Sequence, residues 1–149
     1  MKRHKSLYPL SHDHHHALVQ AKNLRMASSS SDISSLYRIA IDFIAYWDTS
    51  LQLHFRQEEE ILLPVLSQYS SPDHLEIIGT LKQHGDIQQV VSQLRKNIEQ
   101  EAVLAEEGQK LSALLSMHIR YEEQYLFPAI QDIVPEEALW EINRHLTEK

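Results

Sequence analysis

The chain has 149 residues, enough for one domain with a real core, and carries a formal charge of −7 with a pI near 5.8. An acidic chain of this kind has no electrostatic footprint for nucleic acid or anionic lipid. The absence of cysteine excludes disulfides, thiolate nucleophiles, cysteine-ligated zinc and iron–sulfur clusters, so any metal must be held by nitrogen and oxygen. It also favours a reducing compartment. The N-terminal MKRHKSLYPL is basic but lacks the apolar run of a secretory signal. No apolar stretch reaches the roughly 20 residues that span a bilayer. A cytoplasmic protein is expected, with neither nucleic acid nor membrane as partner.

The only glycines are Gly79, Gly85 and Gly108, which disfavours a hairpin-rich β fold. Apolar spacing is helical almost throughout. A first helix is predicted from Ser11, a good N-cap, to about Met26. The polar run 28–32 is a loop. A second helix follows from about Ile33 to Gln68, bent or broken near Pro64, where the ring removes a donor and clashes one turn back. Ser71-Pro72-Asp73 reads as a start signal for a third helix reaching about Glu101. A fourth starts within 102–108 and runs to about Asp132, bent at Pro128. A short fifth runs from Pro135 to about Leu146. The expected fold is all-α: an up-down antiparallel four-helix bundle over about 5–132 with a C-terminal helix over about 135–147, making one domain of the whole chain, 1–149.

One eleven-residue pattern is written twice. His54-Phe55-Arg56-Gln57-Glu58-Glu59-Glu60-Ile61-Leu62-Leu63-Pro64 returns as His118-Ile119-Arg120-Tyr121-Glu122-Glu123-Gln124-Tyr125-Leu126-Phe127-Pro128. Both copies read H-x-R-x-E-E-x-x-L-x-P. The histidine and the first glutamate lie four residues apart, which stacks them on one helical face. Imidazole and carboxylate converging from one face are metal ligands by type. Because the copies fall on the second and fourth helices, approximate twofold symmetry is expected.

The apolar stripes place further histidines. Trp47, Leu51, Ile61 and Val65 surround His54 at helical spacing, and Leu111, Leu114, Tyr125 and Ala129 surround His118. On the third helix the stripe is Ile77, Leu81, His84, Ile87, Val91, Leu94 and Ile98, with His84 in an apolar position. On the first it is Leu7, Leu10, His14, Ala17, Ala21 and Leu24. His14 fits that stripe; His12, His15 and His16 fit it less well and read as a surface cluster. Glu59, Glu60 and Glu123 read as solvated. Each long helix thus turns one histidine inward, and two also turn in a glutamate. The set is His14, His54, Glu58, His84, His118 and Glu122. A carboxylate in a bundle core is expensive unless paired or metal-bound. Six such ligands in symmetric pairs suit two cations, with iron favoured over manganese or zinc.

With these residues in place, the chain resembles hemerythrin-like domains of the histidine-histidine-glutamate cation-binding family, over about residues 5–132. The resemblance implies a four-helix bundle with a non-haem di-iron centre, bridged by two carboxylates and an oxo or hydroxo group. Carried over, Glu58 and Glu122 would be the bridges, and His14, His54, His84 and His118 the terminal ligands. Two departures stand out. The oxygen carriers follow the third-helix histidine with another four residues on, where this chain has Gln88. They also place an aspartate five residues after the last motif histidine; that position is Glu123 here, while Glu122 keeps the four-residue spacing. These departures point away from stable oxygen carriage. They point toward relatives that bind or react with oxygen, nitric oxide or peroxide in sensing, iron handling or stress response. The alternatives are a di-iron redox enzyme and an iron–sulfur repair factor. The small gas or peroxide is the expected partner; the sequence names no protein partner.

Overall fold

In the computed structural model, residues 1–148 are described, and among them every regular element is helical. A 3₁₀ turn at Lys5–Leu7 leads into α1 (Tyr8–Ser28). The chain then forms one long rod made of α2 (Ile33–Tyr46), α3 (Gln52–Gln57) and α4 (Leu63–Tyr69), joined by π-helical turns at Trp47–Leu51 and Glu58–Leu62. After α5 (Leu75–Glu99), a second rod consists of α6 (Ala105–Tyr121), a π turn at Glu122–Leu126 and α7 (Phe127–Ile133). The last helix is α8 (Glu136–Thr147). Among the described residues, no helix is long and apolar enough to cross a membrane.

The helix starts differ from the sequence signals for local reasons. The first helical segment begins before Ser11, because the His4 side chain accepts from the Ser6 N–H and Pro9 supplies a preset φ in the first turn of α1. Ser71-Pro72 lies outside α5; the cap is His74, whose ring accepts from the Glu76 N–H. Asp32, the last residue of the polar run 28–32, caps α2 by accepting from the Ser35 N–H.

The larger correction concerns the two prolines. Proline has no N–H, and its ring would meet the carbonyl one α-turn back. Ahead of Pro64 and Pro128 the chain adopts i→i+5 bonding: the Leu63 N–H donates to the Glu58 carbonyl and the Phe127 N–H to that of Glu122. One extra residue enters the turn, so the buried stripe shifts by one. Leu62, Leu63 and Leu66 are buried where Ile61 and Val65 were expected. Leu126, Phe127 and Ile130 are buried where Tyr125 and Ala129 were expected, and Tyr125 is exposed. On α5, Leu81 is also exposed, and Thr80 takes the inward place.

α1 packs along α6 and α2, and α5 packs along α6 and α2. Close approach of α1 and α6 relies on small residues: Ala17 and Ala21 are buried, and a Cβ added at Gly108 would run into Ser28 Oγ. The core falls into two apolar clusters. One gathers Leu24, Phe43, Trp47, Phe55, Ile87, Leu94, Leu111 and Ile119. The other gathers Leu7, Leu10, Leu62, Leu66, Ile77, Leu126 and Ile130, and includes Leu139, Ile142 and Leu146 of α8. Between Leu10 and Ala17, Leu51 and Leu62, Ile77 and Ile87, and Leu115 and Leu126, each rod of this packing crosses one polar layer.

Candidate metal centre

That polar layer holds all six side chains singled out by the sequence. His14, His54, Glu58, His84, His118 and Glu122 are each 3% exposed or less. They form two groups of four, His14/His54/Glu58/Glu122 and Glu58/His84/His118/Glu122, in which one ligand atom from each residue lies within 4.8 Å of the others. Both carboxylates belong to both groups. Glu58 Oε2 lies 3.0 Å from His54 Nε2, while its Oε1 lies 2.9 Å from His84 Nε2. Glu122 Oε1 lies 2.8 Å from His14 Nε2, while its Oε2 lies 3.1 Å from His118 Nε2. Each glutamate therefore faces one histidine pair with one oxygen and the other pair with the second.

The outer nitrogens fix which ring atom points inward. His14 Nδ1 is 2.7 Å from Glu123 Oε2, His84 Nδ1 is 2.6 Å from Glu59 Oε2, and His54 Nδ1 is 3.0 Å from Asp13 Oδ2. His118 Nδ1 is 2.7 Å from Gln83 Oε1. These oxygens are acceptors, so each Nδ1 carries a hydrogen and each Nε2 points inward, as the nitrogen that would give up its proton to take a metal. Glu123 is itself braced, accepting from Ser11 Oγ at 2.8 Å and from Arg3, which also bonds the Glu123 carbonyl at 2.6 Å. Two aromatic faces close the sides: Phe55 stacks on His84 with centroids 3.9 Å apart, and Phe127 stacks on His14 at 5.3 Å.

Burial drives His14, His54 and His84 toward neutrality, but the facing carboxylates outweigh it. Glu58 and Asp13 hold His54 up at about 9, and Glu122 and Glu58 hold His84 up at about 10. His14 is held well above its ordinary value by Glu122, Glu123 and Glu58. Burial raises Glu58 and Glu122, but the histidines around them draw both below the ordinary carboxylate range. Charge is thus concentrated in a layer that is almost fully buried.

Whether this donor set fits cations is decided by atoms left without partners. His54 Nε2, Glu58 Oε2, His118 Nε2 and Glu122 Oε2 are fully buried and make no hydrogen bond among the described residues, although His54–Glu58 and His118–Glu122 approach to about 3 Å. Buried polar atoms are almost always satisfied. Here two imidazole nitrogens and two carboxylate oxygens converge without the alignment of a hydrogen bond, one such pair in each group of four. A cation in each group would satisfy them, and nitrogen with carboxylate oxygen is a donor set for first-row transition metals.

Four residues outside the expected set complete the layer. Glu59 and Glu123, read from the sequence as solvated, instead hold His84 and His14. Their signal was present: the second glutamate is identical in both motif copies. Asp13 and Gln83 each immediately precede an inward histidine, His14 and His84. Glu60 is exposed, as are His12, His15, His16 and Gln88. The model of the hemerythrin HHE cation binding domain matches residues 6–136 of the chain. No curated protein and no solved structure gives a match.

Proposed function

From the premise that the chain belongs to the hemerythrin HHE cation-binding domain family, we propose that its polar layer is a non-haem di-iron centre that binds or reacts with oxygen, nitric oxide or peroxide. On this reading Glu58 and Glu122 would be shared by the two ions, with His14 and His54 holding one and His84 and His118 the other. The observation that carries it is the opposed reach of the two carboxylates, each with one oxygen toward each histidine pair. Six nitrogen and oxygen donors without thiolate favour iron, with manganese or zinc as substitutes.

A bound iron pair supplies one-electron redox changes and coordination positions open to a small molecule. The chain's own residues do the rest. Each ion would be held by two histidines and by one oxygen from each glutamate. Asp13, Glu59, Glu123 and Gln83 fix the imidazole tautomers and ring planes. Phe55, Phe127 and the two apolar clusters keep water from the layer. The same reading makes residues 1–149 one domain with an up-down antiparallel bundle, supported by the short connections between rods packed side by side. It assigns the protein to the cytoplasm, in iron handling, sensing or stress response, with a diatomic gas or peroxide as its small-molecule partner.

Metal analysis of natively purified protein, paired with its near-ultraviolet spectrum, tests the proposal. Two iron ions per chain and a ferric absorption band are expected. A reproducible content near zero or one after expression with adequate iron would overturn it.

A further inference from the structure

Three of the four histidines clustered on α1 play no part in the buried layer. His12, His15 and His16 are exposed. His12 and His16 lie one helical turn apart, on the same face. Their ring centroids are 5.2 Å apart at an interplanar angle of 86°. The structure supplies its own yardstick for that spacing. The two pairs that converge on the shared carboxylates, His14–His54 and His84–His118, have centroids 4.9 and 4.8 Å apart and are also edge-on. His15 is less well placed, 6.3 Å from His16. The exposed pair thus shares the ring spacing of those buried pairs, and two imidazoles one turn apart on a helical face are spaced to reach one cation at about 2.0–2.1 Å.

This pair does not stand alone. A cavity of about 220 Å³ beside it is lined by Asp13, His16, Tyr46, Ser50 and His54. His16 is exposed, whereas the His54 side chain is 3% exposed and belongs to the buried layer. Between them, the Asp13 side chain is 45% exposed and its Oδ2 lies 3.0 Å from His54 Nδ1. One cavity therefore joins a surface imidazole, a half-exposed carboxylate and a buried imidazole. These are ligand types for the same class of ion, and the net negative charge of the chain draws cations toward it.

We propose that His12 and His16 form an exposed capture site for a divalent transition-metal cation, which feeds the buried centre through the cavity between His16, Asp13 and His54. Capture rests on the histidine pair and its geometry. Feeding rests on the reading of the buried layer as a metal centre. The transfer is ligand exchange: each incoming donor forms a bond as the one behind it lets go, with no change in the ion's oxidation state.

Two measurements separate the parts. First, protein saturated at its tight sites is titrated with Ni²⁺ alone. Wild type binds one further ion, and His12→Ala or His16→Ala weakens that binding by about tenfold or more, because the second imidazole acts as a tethered ligand. His15→Ala leaves it unchanged. No further ion in wild type, or equal weakening in His15→Ala, overturns the capture site. Second, metal-stripped protein is mixed with Co²⁺, and filling of the buried centre is followed by visible absorption. The double variant H12A/H16A fills about tenfold more slowly yet reaches the same final content, the loss expected when a tethered donor is removed from the route. Equal rates, or a lowered final content, overturn the feeding role. If wild type takes up no buried Co²⁺, the di-iron reading and the feeding role fall together, and the Ni²⁺ titration still decides the capture site.

Discussion

The two halves of the buried layer follow one rule and break it at one corner. In each half, the residue before the lone histidine holds the motif histidine: Asp13 precedes His14 and bonds His54, and Gln83 precedes His84 and bonds His118. In each half, the glutamate after the inward glutamate holds the lone histidine across the bundle: Glu59 bonds His84, and Glu123 bonds His14. Three of the four supports are carboxylates and the fourth is an amide. The bracing is also unequal, because Arg3 and Ser11 secure Glu123, and among the described residues Glu59 has only its histidine. A carboxylate that accepts from Nδ1–H makes the opposite nitrogen a stronger donor than a neutral amide does. The His14/His54 half should therefore hold its cation more tightly, and the His84/His118 half should be the one that exchanges.

The largest way to break this comparison is to remove what the halves share. Glu58→Ala or Glu122→Ala takes one ligand from each ion, so iron content should fall from two per chain toward one or none. Glu59→Ala and Glu123→Ala act on one half each. They should leave full content at saturating metal but weaken one of the two ions by roughly 10–100-fold, the usual effect of losing an outer partner of a ligating histidine. Metal analysis combined with chelator competition reads both. If the Glu58 variant keeps two ions, the shared-carboxylate geometry has been assigned the wrong role.

The asymmetry itself can be written out of the chain in either direction. Gln83→Glu would give all four histidines carboxylate partners, and Asp13→Asn would give each half one amide. Wild type should release its two ions to a chelator in two phases, with rates separated by about tenfold. Either substitution should draw the phases together, Gln83→Glu toward the slow rate and Asp13→Asn toward the fast. Two phases that survive both changes would mean that the N-terminal bracing of Glu123, not the fourth support, separates the halves.

How much of this layer the sequence discloses follows from the range of each signal. His54–Glu58 and His118–Glu122 are legible because i,i+4 spacing and an apolar stripe are local. His14 and His84 are legible because each interrupts such a stripe. Glu59 and Glu123 are marked only by recurring in both motif copies, and their role stays hidden because a side chain about 100° off the stripe of its own helix looks solvated until the neighbouring helix presents a histidine to it. Asp13 and Gln83 are hidden for the same reason. The stripes beyond Glu58 and Glu122 are misplaced by one residue because apolar spacing assumes 3.6 residues per turn, and a π turn inserts one more.

Protons offer a smaller test. In the metal-stripped protein His54 and His84 are held above their ordinary value of 6.5, at about 9 and about 10. A raised imidazole contributes stability that is complete below 6.5 and is lost as pH rises through the folded value. Glu58 and Glu122 are depressed from 4.5, so their contribution is complete above 4.5 and is lost as pH falls through their folded values. The melting temperature of stripped protein should therefore peak between about 4.5 and 6.5 and fall toward pH 10. Metal-loaded protein, whose imidazoles are neutral, should lack the alkaline fall, and loading at pH 7 should release protons to an indicator dye. Asp13→Asn should bring the alkaline fall of stripped protein to lower pH, since Asp13 helps to raise His54. A flat profile for stripped protein would show that the layer is not charged before metal arrives.

The smallest effect is expected at the prolines, where the two halves are most alike. Pro64 and Pro128 each follow a π turn that begins at an inward glutamate, and it is natural to suppose that they hold those turns. The third π turn argues otherwise: Trp47–Leu51 bonds from the Gln52 N–H to the Trp47 carbonyl with no proline behind it. The side chains that follow also favour the wider turn. Relaxing to α-helical bonding would rotate α4 or α7 by about 100°. That would carry Leu62, Leu63 and Leu66, or Leu126, Phe127 and Ile130, away from the apolar cluster they share with α8. Each deeply buried leucine displaced would forfeit about 1.5–3 kcal/mol of burial, whereas restoring one backbone hydrogen bond returns only about 0.5–1.5 kcal/mol. Packing therefore keeps the π register after Pro64→Ala or Pro128→Ala. Both variants should retain two ions, with a stability change of about 1 kcal/mol or less, the range of a proline effect acting on the unfolded chain. Loss of iron in either one, measured beside its melting temperature, would show that the ring and not the packing sets where Glu58 or Glu122 points.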